Sequence, residues 1–384
     1  MPHNSIEGLI VRPVENKRAL NDFIRVPWGI FRDDPNWVPP LLSEVSNQLN
    51  PKKNPFFEHA EARYFVAYRN AEPVGRISAQ IDQLSLERHG ATTGHFGFID
   101  AIDDEHVFKA LFEAAEAWLK SKGMDRILGP FNLTVNEESG LLIDGFDTPP
   151  MLLMGHARPY YQKRIEELGF QKEIDMYAYI LDIRKEFPEP VQRLLKKTRN
   201  QQVFSIRPID MKNYDRDLRN VLSIYNEAWA DNWGALPATP AEVDHTVKTM
   251  KMLIREEMAY IGFLGEEPVG FMIALPNLNE AIRDFNGRLT PWNILKLLWR
   301  VRIKLTKTCR VPLMGVRKRY HGNAIGALLA FSLIETIRSN AVKIGGESAE
   351  LSWILEDNTA MRDMLIAIDS HIYKTYRMYS KSIA

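Results

Sequence analysis

LMGVRKRYHGNAIGALL, residues 313–329, carries more information about the architecture than any other segment of the chain. Its apolar start predicts a strand, its basic, glycine-containing middle a turn, and its end a helix with apolar residues at the 3.6-residue period. Such a turn aims free backbone N–H groups and the positive end of a helix dipole at one point, which suits a pyrophosphate group. Gly322 and Gly326 keep side chains out of that space, and the basic run Arg317–Arg319 adds positive charge. The sequence therefore predicts a phosphate-binding turn.

The residues of this turn resemble a known motif. Arg319, Gly322 and Ala324 fill the three defined positions of R/Q-x-x-G-x-G/A, the pyrophosphate loop of the GNAT (GCN5-related N-acetyltransferase) superfamily. Downstream, Ala349–Ile354 and the Asn-led segment Asp357–Met361 are similar to the next strand and helix of that superfamily. The resemblance implies acetyl-CoA or another acyl-CoA as acyl donor, and no metal. The cofactor-binding residues that it implies are Val316, Arg317, Arg319, Gly322, Asn323, Ala324, Ile325, Gly326 and Asn358.

Two pieces of the first half of the chain recur in the second half. The strand-like stretch around Arg12 returns around Arg207, and the hairpin around Pro73 returns around Pro268, both 195 positions later. Two repeats at one offset favour duplication over chance similarity of common hairpins. Each half also has an order of strands and helices that predicts a mixed sheet covered by helices. The expected fold is α/β (α+β), with two tandem GNAT-like domains, each a mixed, mostly antiparallel sheet flanked by helices.

The two copies differ where an acyl-CoA would bind. We expect a degenerate GNAT-like domain at 1–183, a linker at 184–202, and a C-terminal domain with the acyl-CoA site at 203–384. A solvated connecting helix is the simpler interpretation of the basic linker, with a functional basic patch as the alternative. In place of the loop, the first copy has Asp100-Ala101-Ile102-Asp103-Asp104-Glu105. These carboxylates would repel a pyrophosphate, and their expected role is to cap the following helix.

The composition is that of a globular protein. Hydrophobic residues make up 45% of the chain, and 49 basic residues balance 49 acidic ones, which argues against wholesale nucleic-acid binding. We expect neither a secretion signal nor a membrane span of roughly 18 uncharged apolar residues. Cys309 is the sole cysteine, so we expect a buried, inert thiol in the cytoplasm. The scattered histidines do not favour a metal site.

Catalysis of the GNAT kind, which the resemblance implies, uses a base for the attacking amine and often a tyrosine that protonates the leaving thiolate. The strand before the loop carries no carboxylate. Glu350, on the next predicted strand, and Glu356, at its exit, are therefore the candidate bases, with an ordinary structural carboxylate as the alternative for each. Tyr373 is the candidate acid, although it and its neighbours Tyr376 and Tyr379 also fit packing roles.

Two further segments carry information about partners. Arg283–Arg310 is an insertion relative to a minimal GNAT hairpin, and its basic residues alternate with tryptophan and aliphatic residues. It either contacts an anionic membrane or a bulky acyl donor such as an acyl carrier, or packs its apolar face on the protein and leaves its basic face in water. In the first copy, Gly129–Asn132 and Gly145–Pro150 resemble an uncharacterised bacterial group of the superfamily.

The function that the resemblance implies is cytoplasmic, acyl-CoA-dependent N-acyl transfer. An acetyltransferase that acts on an unknown small-molecule or peptide amine is the first expectation, with direct attack of the amine on the thioester and no nucleic-acid partner. One alternative is a non-catalytic acyl-CoA-binding protein, which the missing base favours. Another is an aminoacyl or long-chain acyl transferase, since peptidoglycan-peptide and myristoyl transferases also use tandem GNAT domains.

Overall fold

A computed structural model describes residues 8–384 of the protein except 202, 252 and 305. The strands are β1 Leu9–Pro13, β2 Ala60–Arg69, β3 Glu72–Asp82, β4 Thr93–Ala101, β5 Arg126–Gly129, β6 Leu141–Asp144, β7 Gln171–Asp182, β8 Ser205–Pro208, β9 Ala259–Leu264, β10 Glu267–Pro276, β11 Thr308–Val316, β12 Ser348–Leu355 and β13 His371–Ser382. The helices are α1 Lys17–Ile30, α2 Leu42–Gln48, α3 Gln83–His89, α4 Glu105–Ser121, α5 Tyr160–Glu167, α6 Glu189–Gln201, α7 Tyr214–Ala228, α8 Pro240–Met250, α9 Leu278–Ile282, α10 Pro291–Trp299, α11 Ala324–Lys343 and α12 Thr359–Ala367.

The chain forms two compact units that do not coincide with its two halves. Unit 1 contains Met1–Met176, Ile282–Asn293 and Lys374–Ala384, and unit 2 contains Tyr177–Ala281 and Ile294–Tyr373. The divisions fall inside β7, α9, α10 and β13, and most of the last strand of the chain belongs to unit 1. The expected boundaries at 183 and 203 concern the two sequence copies and stay a prediction.

Unit 1 is built on a sheet with the strand order β1-β2-β3-β4-β5-β13, and β6 also pairs with β13. Neighbouring strands are antiparallel except β4 and β5, which run parallel from Thr93 and Arg126 to His95 and Leu128. The helices α1 and α4 pack on β3. The buried core contains Phe23 of α1 and Phe108 and Phe112 of α4, whose buried residues lie on one face of the helix.

Unit 2 has a sheet with the order β8-β9-β10-β11-β12, antiparallel except for the parallel pair β11 and β12. The helix α11 begins at the N-cap Asn323 and buries Leu329, Leu333, Ile337 and Ala341 in the core of this unit. By length and composition α11 is apolar enough to cross a membrane, but these buried side chains are those of a core helix. The expected fold class is confirmed in both units.

Two expectations about single elements have clear outcomes. The linker helix α6 is not simply solvated, since Val191 and Leu195 belong to the apolar core of unit 2 while Lys196 and Lys197 are exposed. The sequence interpretation overlooked the apolar spacing of four between these two core residues, which places them on one face of the helix. Cys309 is buried as expected, and its burial raises the pKa of the thiol to about 12.

Candidate functional site

In unit 2, two neighbouring strands separate close to the predicted loop. The parallel pairing of β11 with β12 ends at Val311 and Leu351, while both strands run on. A register shift in the β10–β11 ladder places an extra residue on β11 at the same point, which is a β-bulge. Beyond the bulge, Pro312–Met314 and Trp353–Leu355 are half-buried apolar residues. Half-buried apolar residues thus border the place where the two strands stop pairing, which we call the unit 2 gap.

The predicted loop follows β11 directly and leads into α11. Gly322 has a φ of +70°, and no atom lies within 4 Å of the position that a Cβ would take there. Gly326 is required for another reason, because a Cβ at that residue would lie 2.1 Å from the carbonyl oxygen of Tyr320. The Oδ1 atom of Asn323 accepts the N–H of Gly326 at 3.0 Å. The loop therefore has open space above Gly322 beside the N-terminus of a long helix.

The basic side chains of the loop are paired with carboxylates of the same unit. Arg317 forms an ion pair with Glu227, and the backbone N–H of Lys318 donates to Glu227 at 3.0 Å. The other two pairs are Lys318 with Asp231 and Arg319 with Glu267. The exposed pairs of Lys318 and Arg319 are worth about 0–1 kcal/mol each, so they would oppose the binding of a pyrophosphate only weakly. Sequence reasoning did not find these acids, because they come from distant segments.

The remaining predicted cofactor-binding residues lie at two helix starts. Val316 ends β11, and its carbonyl oxygen lies 2.6 Å from Nε2 of His321. Ala324 and Ile325 form the first turn of α11. Asn358 caps α12, since its Oδ1 accepts the N–H of Met361 at 3.1 Å. The predicted set is therefore contiguous around the loop except for Asn358, which follows β12.

Glu350 lies in a buried cluster at the inner end of the unit 2 gap. It faces Arg310 in the β11–β12 ladder, one position before the pairing ends, and is 0% exposed. Arg310 Nε lies 3.4 Å from Glu350 Oε1, and the hydroxyl of Ser352 donates to the same oxygen at 2.6 Å. The hydroxyl of Tyr373 donates to Oε2 of Glu350. The structure thus brings the candidate base Glu350 and the candidate acid Tyr373 into direct contact.

The second candidate base lies farther along the chain. Glu356 follows β12 and is half-buried, and its backbone carbonyl accepts from Arg362 Nη1 at 2.7 Å. Tyr376 and Tyr379 belong to unit 1, where their hydroxyls donate to Gly155 and Glu166. Both tyrosines are fully buried, which agrees with the packing alternative for them.

In unit 1 the corresponding place between β4 and β5 is filled by the protein's own chain. The N–H of Phe131 donates to the carbonyl of Phe96 at 2.7 Å, and Asn132 Oδ1 accepts the N–H of Phe98 at 2.7 Å. A Cβ on Gly97 would lie 1.7 Å from the carbonyl oxygen of Phe131. The Gly-Pro-Phe-Asn segment therefore occupies the place beside β4 that corresponds to the unit 2 gap.

The acids that replace the loop in the first copy have structural partners. Asp104 is the N-cap of α4 and accepts the N–H of His106 at 2.9 Å, which confirms the expected capping role. Arg69 also donates to Asp104 at 2.8 Å, and these bonds hold the pKa of Asp104 below its usual value despite the opposing effect of desolvation. Asp103 pairs with Arg164 at 2.9 Å.

Unit 1 also contains a buried cluster of the same composition as the one around Glu350. Arg76 Nε donates to Asp100 at 2.9 Å, and the hydroxyl of Tyr161 donates to Asp100 at 3.2 Å. Burial raises the pKa of Asp100, while Arg76 and Tyr161 act in the opposite direction. An arginine, a carboxylate and a tyrosine therefore meet in each unit, but only the cluster of unit 2 lies at an open gap.

The residues of unit 2 fit an acyl-CoA. The apolar gap suits an acyl chain and its thioester, and the space above Gly322 with three cations nearby suits a pyrophosphate. Sequence reasoning missed Arg310 and Ser352. The only signal for Ser352 was its position two residues after Glu350 on one face of a strand, and Arg310 had none.

No protein-family model matches this sequence. The bacterial ceramide synthase of Caulobacter vibrioides (strain NA1000 / CB15N) is 43% identical over 385 residues, which cover 100% of both chains. Protein YghO of Escherichia coli (strain K12) is 44% identical over 380 residues, covering 99% of this chain and 96% of YghO. A solved structure of a tandem GNAT protein from the clavulanic acid biosynthesis pathway has a TM-score of 0.57 at 11% identity, covering 98% of this chain and 99% of that chain. The structural likeness establishes the tandem GNAT fold.

Proposed function

Because this chain belongs to the protein family of the bacterial ceramide synthase and YghO and has the tandem GNAT fold, we propose that it is an N-acyltransferase that forms a ceramide-type amide. A ceramide is the amide of a fatty acid with a long-chain amino alcohol. The proposed acceptor is therefore a lipid amine, and the proposed donor is a long-chain acyl-CoA rather than acetyl-CoA. The proposed location is the cytoplasm.

The unit 2 gap is the observation that carries this proposal. Its lining on both strands is apolar and half-buried over Pro312–Met314 and Trp353–Leu355, as a long acyl chain requires. The loop at Arg317–Gly326 lies at the end of the same strand, where the pyrophosphate of the CoA would be held. Unit 1 does not compete for the donor, because Phe131 and Asn132 occupy its equivalent space.

The proposed chemistry uses the contact between Tyr373 and Glu350. The amine nitrogen attacks the thioester carbonyl, so a C–N bond forms, the C–S bond breaks and the thiolate leaves. The nitrogen loses one proton to the Tyr373 oxygen as the tyrosine passes its own proton to Glu350. The same pair then returns the proton to the thiolate, which restores both side chains. Arg310 compensates the buried charge of Glu350 when the carboxylate is ionised.

The direct test offers the purified protein a long-chain base with palmitoyl-CoA, and detects the amide by mass spectrometry. Acetyl-CoA and a palmitoyl thioester of acyl carrier protein are offered in parallel. We expect an amide from palmitoyl-CoA, and a much slower reaction with acetyl-CoA because a two-carbon acyl group leaves the apolar gap unfilled.

Each other outcome excludes the proposal in a defined way. If only the carrier-protein thioester gives an amide, the acyl donor is that thioester and not an acyl-CoA. Binding of palmitoyl-CoA without an amide from any offered amine would favour the non-catalytic alternative.

A further inference from the structure

The segment from α10 to the following π-helical turn Arg300–Lys304 presents large apolar side chains to solvent. Helix α10 has no buried residue. The exposed fraction of its exposed large apolar side chains ranges from 45% for Ile294 to 77% for Trp292, whereas Leu297 is half-buried. These side chains form what we call the ridge: Trp292, Ile294, Leu295, Leu298, Trp299 and Ile303. A contiguous apolar surface of this kind marks a site of interaction.

The side of the segment opposite the ridge faces the protein, through polar contacts and the half-buried Leu297 and Val301. Arg300 Nη1 donates to the backbone carbonyl of Ala281 at 2.6 Å, and Arg255 Nη1 donates to the carbonyl of Val301 at 3.3 Å. Lys296 is half-buried although it is charged. The expectation that the segment packs its apolar face on the protein is therefore wrong. Its backbone carbonyls and those of α9 attract the arginines, which leaves the apolar face outside.

The charged residues of the segment that carries the ridge have one sign. The sequence has no acidic residue between Asp284 and Glu335. Arg302 and Lys304 are exposed beside Ile303, and Arg288 is exposed before α10 begins. An apolar ridge with cations on its flanks is complementary to a bilayer that has anionic headgroups, where tryptophan rings also prefer to lie.

We propose that the ridge inserts into the surface of an anionic lipid bilayer, with Arg302 and Lys304 at the level of the headgroups. A second copy of the chain is a poorer occupant, because a two-fold contact would bring these like charges together. The bilayer satisfies the apolar and the basic side chains at the same time. This inference does not depend on the proposed reaction, since membrane binding can be measured without substrates.

The experiment measures co-sedimentation of the full chain with phosphatidylcholine vesicles that do or do not contain phosphatidylglycerol. We expect binding to the anionic vesicles that weakens as salt is raised. The double variant Trp292→Ser/Leu295→Ser should need about tenfold or more lipid for half-binding, because it removes apolar area that the bilayer buries. The double variant Arg302→Glu/Lys304→Glu should lose the preference for phosphatidylglycerol.

A matched control replaces exposed apolar residues outside the ridge. Ile366 and Ile372 are 60% and 39% exposed, and the variant Ile366→Ser/Ile372→Ser should bind vesicles like the original chain. Unchanged binding of the ridge variant, or equal binding to neutral and anionic vesicles, would overturn the proposal. A third result would also overturn it: the original chain is a dimer that does not bind vesicles, and the ridge variant is a monomer. The ridge would then contact a second copy of the chain.

Discussion

The two units differ at equivalent places in their sheets. In unit 1, Phe131 and Asn132 close the space beside β4 by taking up backbone groups of Phe96 and Phe98. In unit 2, β11 and β12 diverge after Val311, and half-buried apolar residues line the space between them. On the proposed function, one copy of the duplicated fold binds the acyl donor, and the other copy fills the equivalent place with its own backbone.

The two units also contain similar buried clusters. Arg76, Asp100 and Tyr161 in unit 1 repeat the composition of Arg310, Glu350 and Tyr373 in unit 2. Both arrangements stabilise an ionised or hydrogen-bonded carboxylate in the core. The second cluster also contains Ser352, and it lies where two strands stop pairing.

The largest expected effect comes from removing the proton-transfer groups of unit 2. Tyr373→Phe and Glu350→Gln should each lower turnover by about 10²- to 10⁴-fold while the affinity for the acyl donor stays nearly the same. Glu350→Gln should also cost about 3–5 kcal/mol of stability, because it removes the buried negative charge that faces Arg310. Single-turnover kinetics together with urea unfolding separate the two effects.

The matched variant in unit 1 is Asp100→Asn. It should lose stability for the same reason, because it leaves Arg76 uncompensated, yet keep turnover per folded molecule. If Asp100→Asn lost as much turnover as Glu350→Gln, both clusters would have only a structural role. A large loss in Glu356→Gln with full activity in Glu350→Gln would move the base to the exit of β12.

The next effect concerns acid stability, which should be a property of unit 1. Burial lowers the pKa of His95 to about 4 from 6.5, and burial also lowers the pKa of His156. As the pH falls from 6.5 to about 4, the unfolded chain binds a proton at His95 that the folded chain does not, so stability decreases. His95 alone should remove about 3 kcal/mol over this window and nothing above it. The histidines of unit 2 are exposed: His245, His321 and His371.

Hydrogen exchange at decreasing pH, followed in peptides of β4 and β11, measures this difference. The peptides of β4 should lose protection first, and His95→Gln should remove most of the pH slope. Equal loss of protection in β4 and β11, with the slope unchanged in the variant, would show that His95 does not set the acid stability.

A smaller effect tests how the space in unit 1 is closed. Asn132→Ala removes the acceptor of the Phe98 N–H and should cost about 1–3 kcal/mol, the cost of leaving a buried donor unsatisfied. It should not create a second donor site, because the backbone of Phe131 still covers Gly97. Calorimetry with CoA checks this, and a second binding event in the variant would mean that Asn132 alone closes unit 1.

Local patterns predicted most of the fold and the loop. The strands of both hairpins, the helix α11 and the capping role of Asp104 follow from periodicity and turn chemistry within a few residues. The sequence could not predict contacts between distant segments, such as the pairing of Arg317 with Glu227. For the same reason it could not predict that the apolar face of α10 is exposed. The placement of Lys374–Ala384 in unit 1 was equally out of reach, because strand pairing across more than two hundred residues leaves no local pattern.

Whether one acyl-donor site exists per chain, at Gly322, is the central claim, and ligand-induced stabilisation tests it most directly. CoA at a hundredfold excess over its dissociation constant should raise the stability of the original chain by about 2.7 kcal/mol. Gly322→Val fills the open space above the loop and should lose most of that rise. Gly345→Val imposes a similar left-handed backbone strain in open space at the other end of α11, and should keep it.

Asp103→Val, in the first copy, should also keep the full rise, and calorimetry should give one CoA site per chain. We expect this combination of results. If Gly322→Val keeps the full CoA-induced rise in stability, or if the chain has two equivalent CoA sites, the claim of one donor site at Gly322 is wrong.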